Sequence, residues 1–160
     1  MNFIISRRGE YGLAAMLYLA RPDASKLSQI REIARHCGLP EPFLGQILRL
    51  LLRGGLVNSK KGVGGGFSLA RPAAEISFLQ VLEALEGPVA LTVCQSPTEI
   101  CKCEGRCSME TIWAKAQRAL VNVLRESTLD RAHCAGHFPD IPVELITHET
   151  STLFPPYSTS

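Results

Sequence analysis

The stretch "LVNSKKGVGGGFSLARP", residues 56–72, limits the fold of this chain more than any other. Apolar and polar residues alternate on both sides of "KKGVGGG", the period of a half-buried strand, and predict a β-hairpin with a flexible, basic, glycine-rich tip. The residues before it follow the helical period instead. In "SQIREIARHCG", Ile30, Ile33, Ala34 and Cys37 fall on one face, with Ser28 as N-cap and Gly38 as C-terminal stop, which makes Cys37 a core residue. After a short "LPEP" turn, "FLGQILRLLLRGG" places Phe43, Ile47, Leu50 and Leu51 on a second apolar stripe that ends at Gly54-Gly55. Two short helices across a tight turn form a helix-turn-helix. Followed by a hairpin, they predict a mainly α fold with a small β-hairpin, a winged helix-turn-helix, to which a long dimerisation helix is added further on.

Charge supports the same reading. Up to Arg71 the chain holds eleven Lys/Arg against four Asp/Glu, whereas the remainder holds six against eleven. A basic N-terminal half faces a polyanion, because lysines and arginines on one face displace counterions from phosphates. The apolar run of "SRRGEYGLAAMLYLA" follows a twin arginine but is short, is interrupted by Glu10-Tyr11 and leads to Arg21-Pro22, so it reads as a buried first helix rather than an export signal. No stretch approaches the ~18 apolar residues of a membrane span. The expectation is therefore a cytoplasmic protein with no membrane partner. In such a reducing compartment, clustered thiols serve metal or redox chemistry more often than disulfides.

Downstream of the hairpin, "ISFLQVLEALEGP" carries a capping box, with Ser77 as N-cap, Gln80 three residues on, and Ile76 placed to staple against Val81. Gly87-Pro88 ends that helix. "CQSPTEICKCEGRC", residues 94–107, then puts four of the six cysteines into one loop. After it, "METIWAKAQRALVNVLRES" repeats Met109, Ile112, Trp113, Ala116, Leu120, Val123 and Leu124 at helical spacing. The helix is longer than one small domain needs and is expected to cross a partner helix in a homodimer, since helix-turn-helix proteins commonly read two half-sites as dimers. From His133 onward periodicity is lost, and prolines, serines and threonines predict a flexible tail. His133, Cys134 and His137 form an accidental cluster there. The organisation is thus a winged helix-turn-helix over 1–87, a cysteine-rich loop over 88–107, a dimerisation helix over 108–130 and a tail over 131–160.

"GEYGLAAMLYLA", the helix-turn-helix, "KGVGGGFSLARP" and the C-x6-C-x5-C spacing of Cys94, Cys101 and Cys107 together resemble the Rrf-two family of bacterial transcription regulators. The resemblance spans roughly residues 1 to 125. It implies a homodimeric regulator that binds a pseudo-palindromic operator in double-stranded DNA and holds an iron-sulfur cluster through those three cysteines and a fourth, non-cysteine ligand. In the family's nitric-oxide-sensing branch that ligand is an acidic side chain from the first helix of the other subunit, a place held here by Glu10. Its cluster-regulating branch uses a histidine three residues after the last cysteine, where this chain has Glu110. Cys103 is an extra thiol within the pattern. The order of preference is Glu10, then Cys103, then Glu110, with the cluster open between two-iron and four-iron types.

The resemblance also assigns DNA contact to Ser28, Glu41, Gln46, Arg49, Lys60, Lys61 and Gly62, with Lys61 matching the family's wing arginine. Glutamine pairs with adenine and glutamate accepts from cytosine, so Gln46 and Glu41 suit base edges. Pro40, Pro42 and Gly45 depart from the cluster-regulating branch, so its operator sequence does not carry over. On chemical grounds, soft thiolates in a loop with Gly105 suit an iron-sulfide core. Zinc sites use paired C-x2-C knuckles, which this loop lacks. Structural zinc and a metal-free thiol switch are the alternatives within the DNA-binding reading, and an iron-sulfur electron carrier is the alternative from another class. No phosphate loop, paired carboxylates or histidine-serine-acid set marks an enzyme.

Overall fold

In the computed structural model, the described residues are 5–22, 27–97, 100 and 107–132. Helix α1, Arg7–Leu19, begins at Ser6, whose hydroxyl accepts a hydrogen bond from the Gly9 amide. Its apolar face, including Tyr11, Ala14, Ala15, Met16 and Leu19, is buried, as expected of "GEYGLAAMLYLA". Helices α2, Ile30–Cys37, and α3, Glu41–Arg53, make the helix-turn-helix. Gly38 ends α2 in the left-handed region, and Cys37 is buried as the periodicity requires.

Two local expectations are corrected. The N-cap of α2 is Gln29, not Ser28; the Gln29 amide donates to Glu32 Oε2 at 2.8 Å and completes a capping box. The buried face of α3 is Leu44, Ile47, Leu48 and Leu51, with Phe43 and Leu50 only half-buried. The run of leucines in "FLGQILRLLLR" satisfies the helical period in more than one phase. Packing against α1 and α4 selects the phase with the larger contact.

Strands β1, Val57–Lys60, and β2, Gly66–Leu69, pair antiparallel with Val57 opposite Leu69 and Lys60 opposite Gly66. The turn uses left-handed backbone at Gly62 and Gly64, closed by the Gly65 amide donating to Gly62 O at 3.0 Å. Gly66 serves a different end. A Cβ there would lie 2.6 Å from Ser28 O, on backbone that cannot swing away. Ser28 occupies that space because it pairs with Phe67, exchanging two backbone hydrogen bonds of 2.9 Å. The wing is thereby riveted to the start of the helix-turn-helix.

Helix α4, Phe78–Glu86, begins with the predicted capping box, the Ser77 amide donating to Gln80 Oε1 at 3.0 Å and the Gln80 amide to Ser77 Oγ at 3.3 Å. Ile76 and Val81, the expected staple, are both fully buried. Helices α1 to α4 enclose one core in which Met16, Ile33, Leu44, Leu48, Leu51 and Ile76 are inaccessible to solvent. Helix α5 covers Glu110–Glu126, shorter than the span expected over 108–130. The chain then returns to α4: the Phe78 amide donates to Ser127 O, the Leu129 amide donates to Ile76 O, and Leu129 enters the core. The expected tail, with His133, Cys134 and His137, lies outside the described residues.

Candidate nucleic-acid interface and metal centre

Gln46 and Arg49, three residues apart, lie on the exposed face of α3 opposite its buried stripe. The Arg49 Nε donates to Gly45 O at 3.1 Å, which lays the guanidinium along the helix surface. Glu41, in the first turn of α3, is exposed and forms an ion pair of 3.4 Å with Arg31 across the helix-turn-helix. With side-chain exposures of 76% and 46%, this pair is worth no more than about 1 kcal/mol and opens readily to a stronger partner. Arg31 is thus a basic group at this surface that sequence reasoning missed; its spacing from Glu41, across a turn, matches no single-helix pattern. Lys60, Lys61 and Gly62 are all exposed on the wing. Ser28 is not. Fully buried, it offers no side-chain surface to DNA, and its place in the interface is corrected to that of a structural rung.

The second group of residues flanks the cysteine loop. Cys94 sits in a single 3-10 turn, Val93–Gln95, that packs on α5, and its Sγ lies 3.0 Å from Thr92 Oγ1. Cys107 lies three residues before the first residue of α5, and its carbonyl accepts from the Glu110 amide at 3.2 Å. Both thiols are free and half-buried, the state in which a soft donor is available to a metal. Cys101 and Cys103 lie outside the described residues. Glu10 is exposed in the first turn of α1 and Glu110 is exposed in the first turn of α5. Among the described residues of one chain, neither carboxylate completes a three-ligand group with Cys94 and Cys107.

Helix α5 carries two apolar edges where the sequence shows one continuous repeat. Trp113, Leu120 and Leu124 are half-buried along with Gln117. Met109, Ile112, Ala116, Ala119 and Val123 recur at alternating spacings of three and four, and Ile112 and Val123 remain 64% and 61% exposed. Alternating steps of three and four are the repeat by which paired helices pack.

A wing riveted to a helix-turn-helix, with glutamine, arginine and lysine on its open surface, defines a winged-helix DNA-binding protein. The chain matches the family model Rrf2, described as "Iron-dependent Transcriptional regulator", over residues 5–133. Protein aau3 of Rhizobium meliloti (strain 1021) is 36% identical over 127 residues, covering 79% of this chain and 82% of that one. Among solved structures, CymR, the global cysteine regulator of B. subtilis, superposes with a TM-score of 0.69 at 31% identity, covering 81% of this chain and 95% of its own. T. potens IscR superposes with a TM-score of 0.64 at 26% identity over 98% and 96% of the two chains. The chain belongs to the Rrf2 family, and it is a DNA-binding transcriptional regulator rather than an enzyme. Among the described residues no helix is long and apolar enough to cross a membrane.

Proposed function

We propose that this regulator works in the cytoplasm as a homodimer whose affinity for a pseudo-palindromic operator is set by an iron-sulfur cluster. Cys94, Cys101 and Cys107 hold the cluster, with Glu10 of the partner subunit as the fourth ligand. The observation that carries this reading is the pair of free, half-buried thiols, Cys94 in a turn that packs on α5 and Cys107 three residues before that helix. When bound, the cluster supplies a redox- and ligand-responsive centre whose state depends on oxygen, nitric oxide or iron supply.

The chain's own residues do the rest. The outer seam of α5 pairs with its copy, which places two recognition helices for half-sites about one DNA turn, roughly 34 Å, apart. Gln46 and Glu41 meet base edges and the wing lysines neutralise phosphates. Glu10 belongs to the first helix of the DNA-binding half, whereas the cysteines precede the dimer helix. A ligand set drawn from both therefore ties one subunit's reading head to the other's scaffold, and a carboxylate, the hard donor of the set, is the corner that exchanges first.

Anaerobic purification tests this directly. Visible absorbance with matched iron and sulfide, together with DNA binding that changes after air exposure, is the expected result. A colourless protein containing zinc would convert the loop into a structural site. A colourless, metal-free protein whose DNA binding responds to thiol oxidation would make it a thiol switch.

A further inference from the structure

The segment between α4 and the first cysteine has neither helix nor strand to satisfy its backbone, and a buried or half-buried peptide group needs a partner from somewhere. Here the partner is a side chain from far along the chain. Gln117, half-buried in the middle of α5, accepts the Leu91 amide through Oε1 at 2.9 Å and donates through Nε2 to Val89 O at 2.6 Å. One amide thus pairs with an acceptor and a donor two residues apart in the Val89–Leu91 backbone, as a neighbouring strand would. Thr92 follows directly, with its hydroxyl 3.0 Å from Cys94 Sγ, and the turn bearing Cys94 packs on the same helix. At the other end of the loop, Cys107 is joined to α5 by the hydrogen bond from the Glu110 amide.

We infer that Gln117 is a positioning residue for the cysteine loop: by clamping Val89 and Leu91 it fixes Cys94 to the helix that already fixes Cys107, and so sets the separation of the loop's two ends. This deepens, and rests on, the reading of the loop as a cluster site. The chemistry of the clamp demands an amide. Only a group with an acceptor and a donor on one planar head serves a peptide N–H and a C=O together. Glutamate keeps the length of glutamine but loses the donor, and sets a carboxylate against the Val89 carbonyl. Alanine leaves both backbone groups without their partner.

The test uses the full chain and begins without metal. Gln117→Glu and Gln117→Ala are prepared in reduced, chelator-treated form, and iodoacetamide labelling at one pH is followed at each cysteine by peptide mass spectrometry. Amide hydrogen exchange at Leu91 is measured on the same samples. In both variants Cys94 labels several-fold faster and Leu91 loses its protection, while Cys107 and the buried Cys37 label at the wild-type rate. After anaerobic reconstitution with iron and sulfide, the variants lose their visible absorbance several-fold faster than the wild type. Unchanged Cys94 labelling and unchanged Leu91 exchange would overturn the clamp, as would acceleration at Cys37 in step with Cys94, which signals general loosening of the fold. A wild-type chain that takes up no iron and sulfide would remove the cluster reading alone, because labelling and exchange still judge the clamp.

Discussion

Lys61 and Gln46 both reach solvent; on the proposed reading they meet DNA through different chemistry and so leave different traces when removed. A wing lysine neutralises phosphate whatever the base sequence. Lys61→Ala is therefore expected to weaken binding to all duplexes about equally and to lower the slope of log affinity against log salt by about one unit. Fluorescence anisotropy across a salt series checks this. Gln46→Ala is expected to relax preference at particular base pairs, costing about 1 to 3 kcal/mol there, with the salt slope retained. Selection from a randomised operator library checks that, and an unchanged preference would show that another part of α3 reads the bases. The exposure of both is legible in the sequence, because Gln46 lies opposite the apolar stripe of one helix and Lys61 falls at the glycine-rich tip of a hairpin. Ser28 is not legible in this way. Its burial follows from pairing with Phe67, and no local pattern in "SQIREIARHCG" announces a contact with a strand so far along the chain.

At the scale of elements, the same distinction separates what local chemistry dictates from what the returning chain supplies. The capping box at α4 is wholly local. Ser77, Gln80, Ile76 and Val81 sit within one turn of each other and are found where their spacing puts them. Ser77→Ala is expected to cost about 1 kcal/mol of stability, measured by chemical denaturation, with no change in labelling at Cys94. Leu129 is the opposite case. In sequence it sits near a polar, irregular tail, whereas in the structure it is 2% exposed and hydrogen-bonded to Ile76 beside that capping box. Leu129→Ala is expected to cost about 2 to 5 kcal/mol by cavity formation and to loosen the attachment of α5 to the DNA-binding core. Helix α5 itself was only partly legible. Its repeat is plain, but the division into a half-buried edge with Gln117 and an exposed seam through Ile112 and Val123 depends on what α4 and the Cys94 turn cover.

For the whole molecule, the proposed dimer would bring together the elements that carry the reading head and the cysteine loop, and this yields the most exacting test of the proposal. Two variants are prepared with different affinity tags, Glu10→Ala and Cys107→Ser, and mixed dimers are isolated anaerobically after co-expression. If Glu10 ligates across the dimer, one of the two sites draws its cysteines from the Glu10→Ala subunit and its carboxylate from the Cys107→Ser subunit. That site contains no substitution, so each mixed dimer is expected to hold one wild-type cluster. The other site carries both defects. If Glu10 ligated the cluster of its own chain, each site would carry one defect and no wild-type site would form. Iron counting alone does not distinguish these cases, because a three-cysteine site lacking Glu10 still binds cluster material; the visible spectrum and the rate of bleaching in air do. An altered spectrum in the Glu10→Ala homodimer, with a wild-type spectrum and bleaching rate restored in half the sites of the mixed dimer, supports the bridge. Absence of a wild-type site from every mixed dimer places Glu10 with the cysteines of its own chain, whereas a Glu10→Ala homodimer with a wild-type spectrum sends the fourth ligand to Cys103 or Glu110. The α5 seam is checked in a separate variant: Ile112→Glu together with Val123→Glu sets charge into the proposed apolar contact and is expected to yield monomers by light scattering.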